Sequence, residues 1–461
     1  MLGKLLEPDI HDMLERKNLR ELRDALLEFP SPDVAELITE ISEEDRAIVF
    51  RLLPRDMATD AFEHLSVDDQ QELLESLNQE QCRRIIEEMD PDDRTGLLEE
   101  LPTRVTRKLL RLLTPDERRI AQKLLGYPED SVGRLMTPDY IDLREGMTAG
   151  EAIDFIRRVG LDKETVYACY VTRDNHVLVG TVGLRTLVLA PADAPVEDLM
   201  KSPPVAMVHT NTDQEEAAAL LQNYDLLALP VVDNEDRLVG IVTVDDIMDV
   251  ISEETEMDMQ VMAGILPETE SSYLKQRILS ISWRRGLPLI GLVVGQALAG
   301  MVMREFHEQL STIIALAFFI PMVMATGGGM GIQTSTLIVR GLGRGDIELR
   351  DFFKILGREL LICSLIGAVL GLAAFGLSYF MVSVGYGVTM QASGPFQLGL
   401  TVFLALLFVM VLSVVVGTIL PIFFSMLKLD PAVMTSPFLT TIVDILGLMI
   451  YFYVASKIFS L

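Results

Sequence analysis

The chain has 461 residues, too many for one ordinary domain, and a formal charge of −28 from 39 basic and 67 acidic residues. The segment from Trp283 onward holds ten Lys/Arg and eight Asp/Glu, a balance of +2, so residues 1–282 carry −30. A segment that acidic gathers divalent counter-cations and repels nucleic acid, which is excluded as a partner. The cysteines Cys82, Cys169 and Cys363 are far apart, giving neither a disulfide framework nor a zinc site and fitting a reducing cytosol. The first residues soon become charged and lack a signal-peptide core. With five His and no nucleophile–base arrangement or phosphate loop, the sequence argues against an enzyme.

Residues 1–130 read as helices in an acidic 24-residue repeat. SEEDR begins at Ser42, SVDDQ at Ser66, DPDDR at Asp90 and TPDER at Thr114. Each opens on a good N-cap residue, with an acid three positions later (Asp45, Asp69, Asp93, Glu117), close to a capping box. A second break falls midway, at Pro54, Asn78 and Pro102. Each unit is therefore expected to be two short helices, stacked into a superhelix. Helix capping alone accounts for most of these acids.

From Met136 the period changes. Segments beginning at Met136 and Met200, 64 residues apart, each lead to strands around a glycine, Gly180 and Gly240. Both read β–α–β–β–α, and this tandem over 131–250 resembles a pair of CBS modules. In that family the stretch Gly240 to Asp246 places a Thr and an Asp, here Thr243 and Asp246, where adenine nucleotides bind. The first unit has Arg185 and Thr186 where an acid is usual, so the resemblance implies ATP chiefly at the second. Beyond Thr243, the residues Asp245, Asp246, Asp249, Glu253, Glu254, Glu256 and Asp258 crowd one stretch with no Lys or Arg until Lys275. A solvated helix face would explain them; so would a site for a hard cation such as Mg²⁺ or Ca²⁺, which takes oxygen ligands.

The rest is apolar. A span needs about 20 mostly apolar residues, and candidates run over 284–303, 310–338, 359–382, 397–427 and 437–459. Arg284 and Arg285, the group Arg340, Arg344, Arg350, Lys354 and Arg358, and Lys428 share one side if there are five spans. That side is expected to be the cytoplasm, with the acidic module inside and the C-terminus outside the inner membrane. Asp444 lies mid-span, where a carboxylate costs at least about 2.5–3.5 kcal/mol unless it meets water, a partner or an ion. The readings are a carboxylate bonded to Thr or Ser of a neighbouring helix, or one on an ion path. Pro431 and Pro437 are expected to interrupt helix near the membrane face, and Pro421 to kink the span before it. The ATGGGMGIQTST stretch (325–336) reads equally as loosened backbone lining water or as close packing at small residues.

The expected fold class is multidomain: an all-α repeat superhelix, an α/β tandem CBS pair, an acidic connecting helix (251–282) and a five-span bundle (283–461). In that order these resemble the MgtE family of Mg²⁺ channels, along essentially the whole chain. The DPA…SPF…TT..D..GL run from Asp430 to Leu448 and the ATGG stretch are the most specific signals. The resemblance implies a homodimer in a lipid bilayer with hydrated Mg²⁺ at Asp444, helped by the Thr440 carbonyl, and Asp430 at the cytoplasmic mouth. It adds Ser436 and Gly328 to the pore lining. It implies regulatory Mg²⁺ at Asp60 and Asp92 together with Asp225, Asp245, Asp246, Asp249, Glu254 and Asp258, closing the pore when Mg²⁺ is plentiful. Two positions depart from the family pattern: Gly329, often Asn, and Gly96, often an acid. A nucleotide sensor anchored in the membrane and a transporter for another divalent ion such as Co²⁺ are the other classes the residues allow.

Overall fold

The computed structural model describes residues 2–16, 18–266, 277–343, 347, 349–384, 394–427 and 431–460. By contacts the described residues fall into two units, those up to Glu254 and those from Thr255 onward.

The first unit opens with helices α1 (Leu2–Glu15), α2 (Leu19–Leu26) and α3 (Ser31–Glu40). The repeat follows as α4 (Glu43–Leu52), α5 (Arg55–Glu63), α6 (Val67–Ser76), α7 (Gln79–Glu88), α8 (Pro91–Glu100), α9 (Thr103–Leu112) and α10 (Pro115–Leu124). Two helices per 24 residues are as the capping pattern predicts. Ser42, Ser66 and Thr114 each accept the backbone N–H three residues on, and Asn78 and Gln81 form a reciprocal capping box. Asp90 does not cap: its side chain makes no such bond. Apolar residues of successive helices, among them Phe50, Phe62, Ile86 and Leu98, form one continuous core.

Next come a short helix, α11 (Val132–Leu135), and two like modules. The first is β1 (Ile141–Arg144), α12 (Ala149–Val159), β2 (Ala168–Thr172), β3 (Leu178–Gly183) and α13 (Leu184–Leu189). A short helix, α14 (Val196–Leu199), leads to the second: β4 (Val208–His209), α15 (Gln214–Tyr224), β5 (Ala228–Val232), β6 (Leu238–Thr243) and α16 (Val244–Met262). Each sheet has one parallel and one antiparallel pairing. The matched glycines explain how the modules interlock. A Cβ on Gly180 would stand 2.6 Å from the Met200 sulfur, and one on Gly240 would stand 2.7 Å from that of Met136. Each module's third strand thus receives the lead-in of the other.

The acidic stretch lies on α16, which leaves β6 and continues unbroken to Met262, so its first turns belong to the second module. Val261 near its end is buried with Val339. Residues 267–276, in the expected connecting segment, lie outside the described residues.

Among the described residues the second unit holds five helices long and apolar enough to cross a membrane: α17 (Ile278–Glu305), then, after the short α18 (His307–Thr312), α19 (Ala315–Gly343), α20 (Phe352–Ser383), α21 (Pro395–Met426) and α22 (Pro431–Phe459). Pro431 starts α22, and the helix runs on through Pro437, so these prolines do not interrupt it. Pro431, at the start, removes no intrahelical bond; Pro437, in the second turn, lacks one N–H donor and the helix continues past it. The glycine-rich stretch is helix, packed closely on one face: a Cβ on Gly417 would fall 2.7 Å from the Gly331 carbonyl oxygen. Gly328 and Gly329 face open space, with no atom within 4 Å of an added Cβ.

Candidate metal sites

In the first unit, the repeat and the tandem modules together gather carboxylates. Glu63, Asp90 and Asp93 bring oxygens within 4.8 Å of one another. Asp60, whose carboxylate is 3.5 Å from the Ser31 hydroxyl, acts electrostatically on Glu63 and Asp90. Asp92, one residue along α8, turns inward and is buried, and one of its oxygens has no hydrogen-bond partner. Asp246, Asp93 and Glu164 all press on it electrostatically. Asp245 bears on Asp246, Asp93 and Asp249.

Burial is the main cause of the shifts here, because a desolvated carboxylate resists charge; neighbouring acids add to it. Glu63 is pushed up to about 8, Asp246 and Glu164 to about 7 and Asp93 to about 6. Asp92 is raised well above the ordinary range. Asp90 and Asp93 keep exposed faces, so Glu63, Asp92, Asp246 and Glu164, the more enclosed groups, carry the strain. Two neighbours act the other way: Arg94, which pairs with Glu117, lowers Asp90, and His64 lowers Asp249.

Of the regulatory acids expected from the sequence, Asp60, Asp92, Asp245, Asp246 and Asp249 come together here. Asp225 stands apart, capping α15 in the left-handed conformation. Glu254 accepts the Gln214 amide at 2.9 Å, and Asp258 lies a turn further along α16. Glu63, Asp90, Asp93 and Glu164 were not anticipated. Asp90 carried a signal: it is the one acid where the neighbouring repeats start on a hydroxyl. At the expected nucleotide position, Asp246 accepts both the hydroxyl and the backbone N–H of Thr243. Arg185 is exposed on α13.

In the second unit, a Cβ on Gly295 would lie 2.6 Å from the Thr441 hydroxyl oxygen, so α17 and α22 approach at a residue without a side chain. The adjacent Gln296 donates its amide to Asp444. The partner is thus an amide, where the structural reading of the sequence offers Thr or Ser. An amide leaves the carboxylate its charge, whereas Lys or Arg would cancel it. Thr440, half-buried, lies one turn before Asp444. Asp430 lies outside the described residues, as does the side chain of Ser436. Gln296 was legible as the one amide among the apolar residues between Pro288 and Met303.

Three parts of the chain match known families: residues 29–130 an MgtE intracellular N domain, 196–253 a CBS domain, and 320–454 the MgtE divalent cation transporter. The chain is 36% identical over 457 residues to the magnesium transporter MgtE of Thermus thermophilus, covering 98% of both proteins. It is 33% identical to that of Bacillus subtilis, over 73% of this chain and 72% of the relative. The solved cytosolic domain of the Mg²⁺ channel MgtE in complex with ATP matches at 40% identity and a TM-score of 0.51, covering 53% of this chain and all of that one. The soluble part of a magnesium transporter matches at 28% and 0.51, covering 55% and 99%. Fold and matches define a divalent-cation transporter of the membrane with a soluble N-terminal part. The chain belongs to the MgtE family of magnesium transporters.

Proposed function

We propose that this transporter is a Mg²⁺ channel whose path passes Asp444 and which cytosolic Mg²⁺ closes by binding the acids shared between the helical repeat and the tandem modules. The observation that carries the regulation is the buried, half-unpartnered carboxylate of Asp92, set against Asp246, Asp93 and Glu164. Like charges at such range repel strongly in a poorly solvated setting, and either protons or a divalent cation relieve them. Mg²⁺ suits oxygen ligands and keeps several waters, which matches carboxylates that are near one another without forming a tight cage. A ligand that bridges two domains favours the arrangement in which they meet, by its difference in affinity between the two states. Without Mg²⁺ the repeat and the tandem modules separate and the path opens.

Asp444, held by the Gln296 amide, keeps a charge to attract Mg²⁺, and Thr440 adds a carbonyl on the same helix. Asp430 guards the cytoplasmic mouth, and Ser436 and Gly328 line the path. Gly328 sits on an open helix face, which agrees with that role. The same oxygen ligands would accept Co²⁺, so some passage of that ion is part of the reading. The pore forms between two copies in the inner membrane, soluble domains in the cytoplasm and C-termini outside. The ATP-bound relative supports a nucleotide at Thr243 and Asp246, with Arg185 as a weaker counterpart.

The test is current carried by Mg²⁺ through reconstituted membrane patches while Mg²⁺ is stepped on the face bearing the soluble domains. The proposal expects the current to fall as that Mg²⁺ rises, and Asp92→Asn with Asp246→Asn to abolish the fall. Current indifferent to Mg²⁺ on that face would refute the regulation; no Mg²⁺ current under any condition would refute the channel.

A further inference from the structure

The same helix face recurs in three successive repeats with three different charges. On α5 it carries Asp56, Thr59, Asp60 and Glu63; on α7, 24 residues on, Glu80, Arg83, Arg84 and Glu87. On α9, another 24 residues on, it carries Arg104, Arg107, Lys108 and Arg111. The α5 set belongs to the acidic cluster. The α7 set neutralises itself, Arg83 with Glu87 at 3.2 Å and Arg84 with Glu80 at 3.5 Å. The α9 set is all cation. Its members, spaced i, i+3, i+4 and i+7, form one stripe. All four are exposed, and among the described residues none has an ion-pair partner.

This stripe walls a cavity of about 1080 Å³ between α9 and the preceding helices. Its floor is apolar, with Leu74, Leu77 and Leu109 buried there. Gln71 and Gln79 line it as well. One acid, Glu75, also lines it and is held by the Gln71 amide at 3.2 Å. Four unpaired cations beside an apolar floor match a ligand with clustered negative charge and an apolar body. The large negative charge of the surrounding domain does not forbid this, because charges beyond about 8 Å are screened at physiological salt.

From this we infer that the groove along α9 binds a nucleoside polyphosphate, with phosphates on Arg104, Arg107, Lys108 and Arg111 and the base on the leucine floor. The site is separate from Thr243 and Asp246. Guanidinium groups pair with phosphate oxygens two at a time, and an ammonium adds a point charge.

The experiment is calorimetric titration of the full chain in zwitterionic nanodiscs, without Mg²⁺, using ATP and inorganic tripolyphosphate as probes. It is run on the Thr243→Ala background, which weakens the other nucleotide position. ATP is expected to bind with strong salt dependence and more tightly than tripolyphosphate. Arg107→Gln with Arg111→Gln should weaken it about tenfold or more, since the phosphates lose two of their four cationic partners. A second pair, Arg104→Gln with Lys108→Gln, should do the same, which guards against one variant misfolding; circular dichroism checks both. Unchanged ATP affinity in folded variants would overturn the site. Tripolyphosphate binding as tightly as ATP would overturn the assignment of a nucleoside to the floor.

Discussion

Asp444 and the Asp92 cluster present carboxylates in opposite settings. In the membrane unit a single acid has a neutral amide for company: Gln296 donates to it and leaves its charge to be used. In the soluble unit Asp92 meets Asp246, Asp93 and Glu164, and burial pushes the group toward its neutral form. An isolated, amide-held carboxylate can take a passing cation and release it, whereas a crowd of them holds a cation longer because its absence is costly. Conduction asks for the first property and sensing for the second.

The largest expected effect tests the membrane side. Asp444→Asn keeps the hydrogen-bonding shape but removes the charge, and Mg²⁺ uptake into vesicles should drop to the background of empty ones. Next is the soluble side: Asp92→Asn and Asp246→Asn should each raise the Mg²⁺ needed for closure. The double variant should fall short of the sum by a coupling of about 0.5–3 kcal/mol, as contacting groups do. Thermal shifts in a Mg²⁺ titration read this out, and simple additivity would separate the two residues into independent sites.

The pH dependence sharpens the contrast further. Free carboxylates have pKa values near 4, and those of Glu63, Asp246 and Glu164 rise to about 7–8 in the folded chain. The native state therefore binds more protons than the unfolded one between those limits. Without divalent cations, the stability these groups contribute is complete below about pH 4 and lost as pH rises to about 8. Mg²⁺ should restore it most at the upper end, where it replaces protons. Chemical denaturation at several pH values with and without Mg²⁺ checks the sign; stability rising with pH in chelator would contradict it. Replacing Gln296 by Leu should lower Mg²⁺ flux several-fold without altering closure. The smallest effect is expected from Gly96→Asp. An added Cβ meets nothing within 4 Å there, and a fifth acid on α8 should shift closure to modestly lower Mg²⁺.

The sequence carried the repeat helices well, because a capping hydroxyl acts on an N–H three residues away and the signal is local. The spans were equally plain, since length and apolarity suffice. What it hid was assembly. Asp90 resembled one more N-cap, yet its side chain bonds no backbone N–H and sits with Glu63, 27 residues earlier. Glu164 follows α12 in an irregular stretch with no period to mark it. The glycine-rich span could be read two ways from composition, and only the packing of Gly331 against Gly417 distinguishes them. Pro437, the seventh residue of α22, shows the limit of a breaker rule: the helix continues through it at the loss of one backbone bond.

The most direct test of the account is Mg²⁺ uptake by vesicles containing the purified protein, loaded inside with low or high Mg²⁺, for wild type and Asp444→Ala. With the soluble domains facing inward, the account predicts rapid uptake by wild type at low internal Mg²⁺, little at high, and none by the variant at either. Uptake by Asp444→Ala equal to wild type, or wild-type uptake undiminished by internal Mg²⁺, would contradict it.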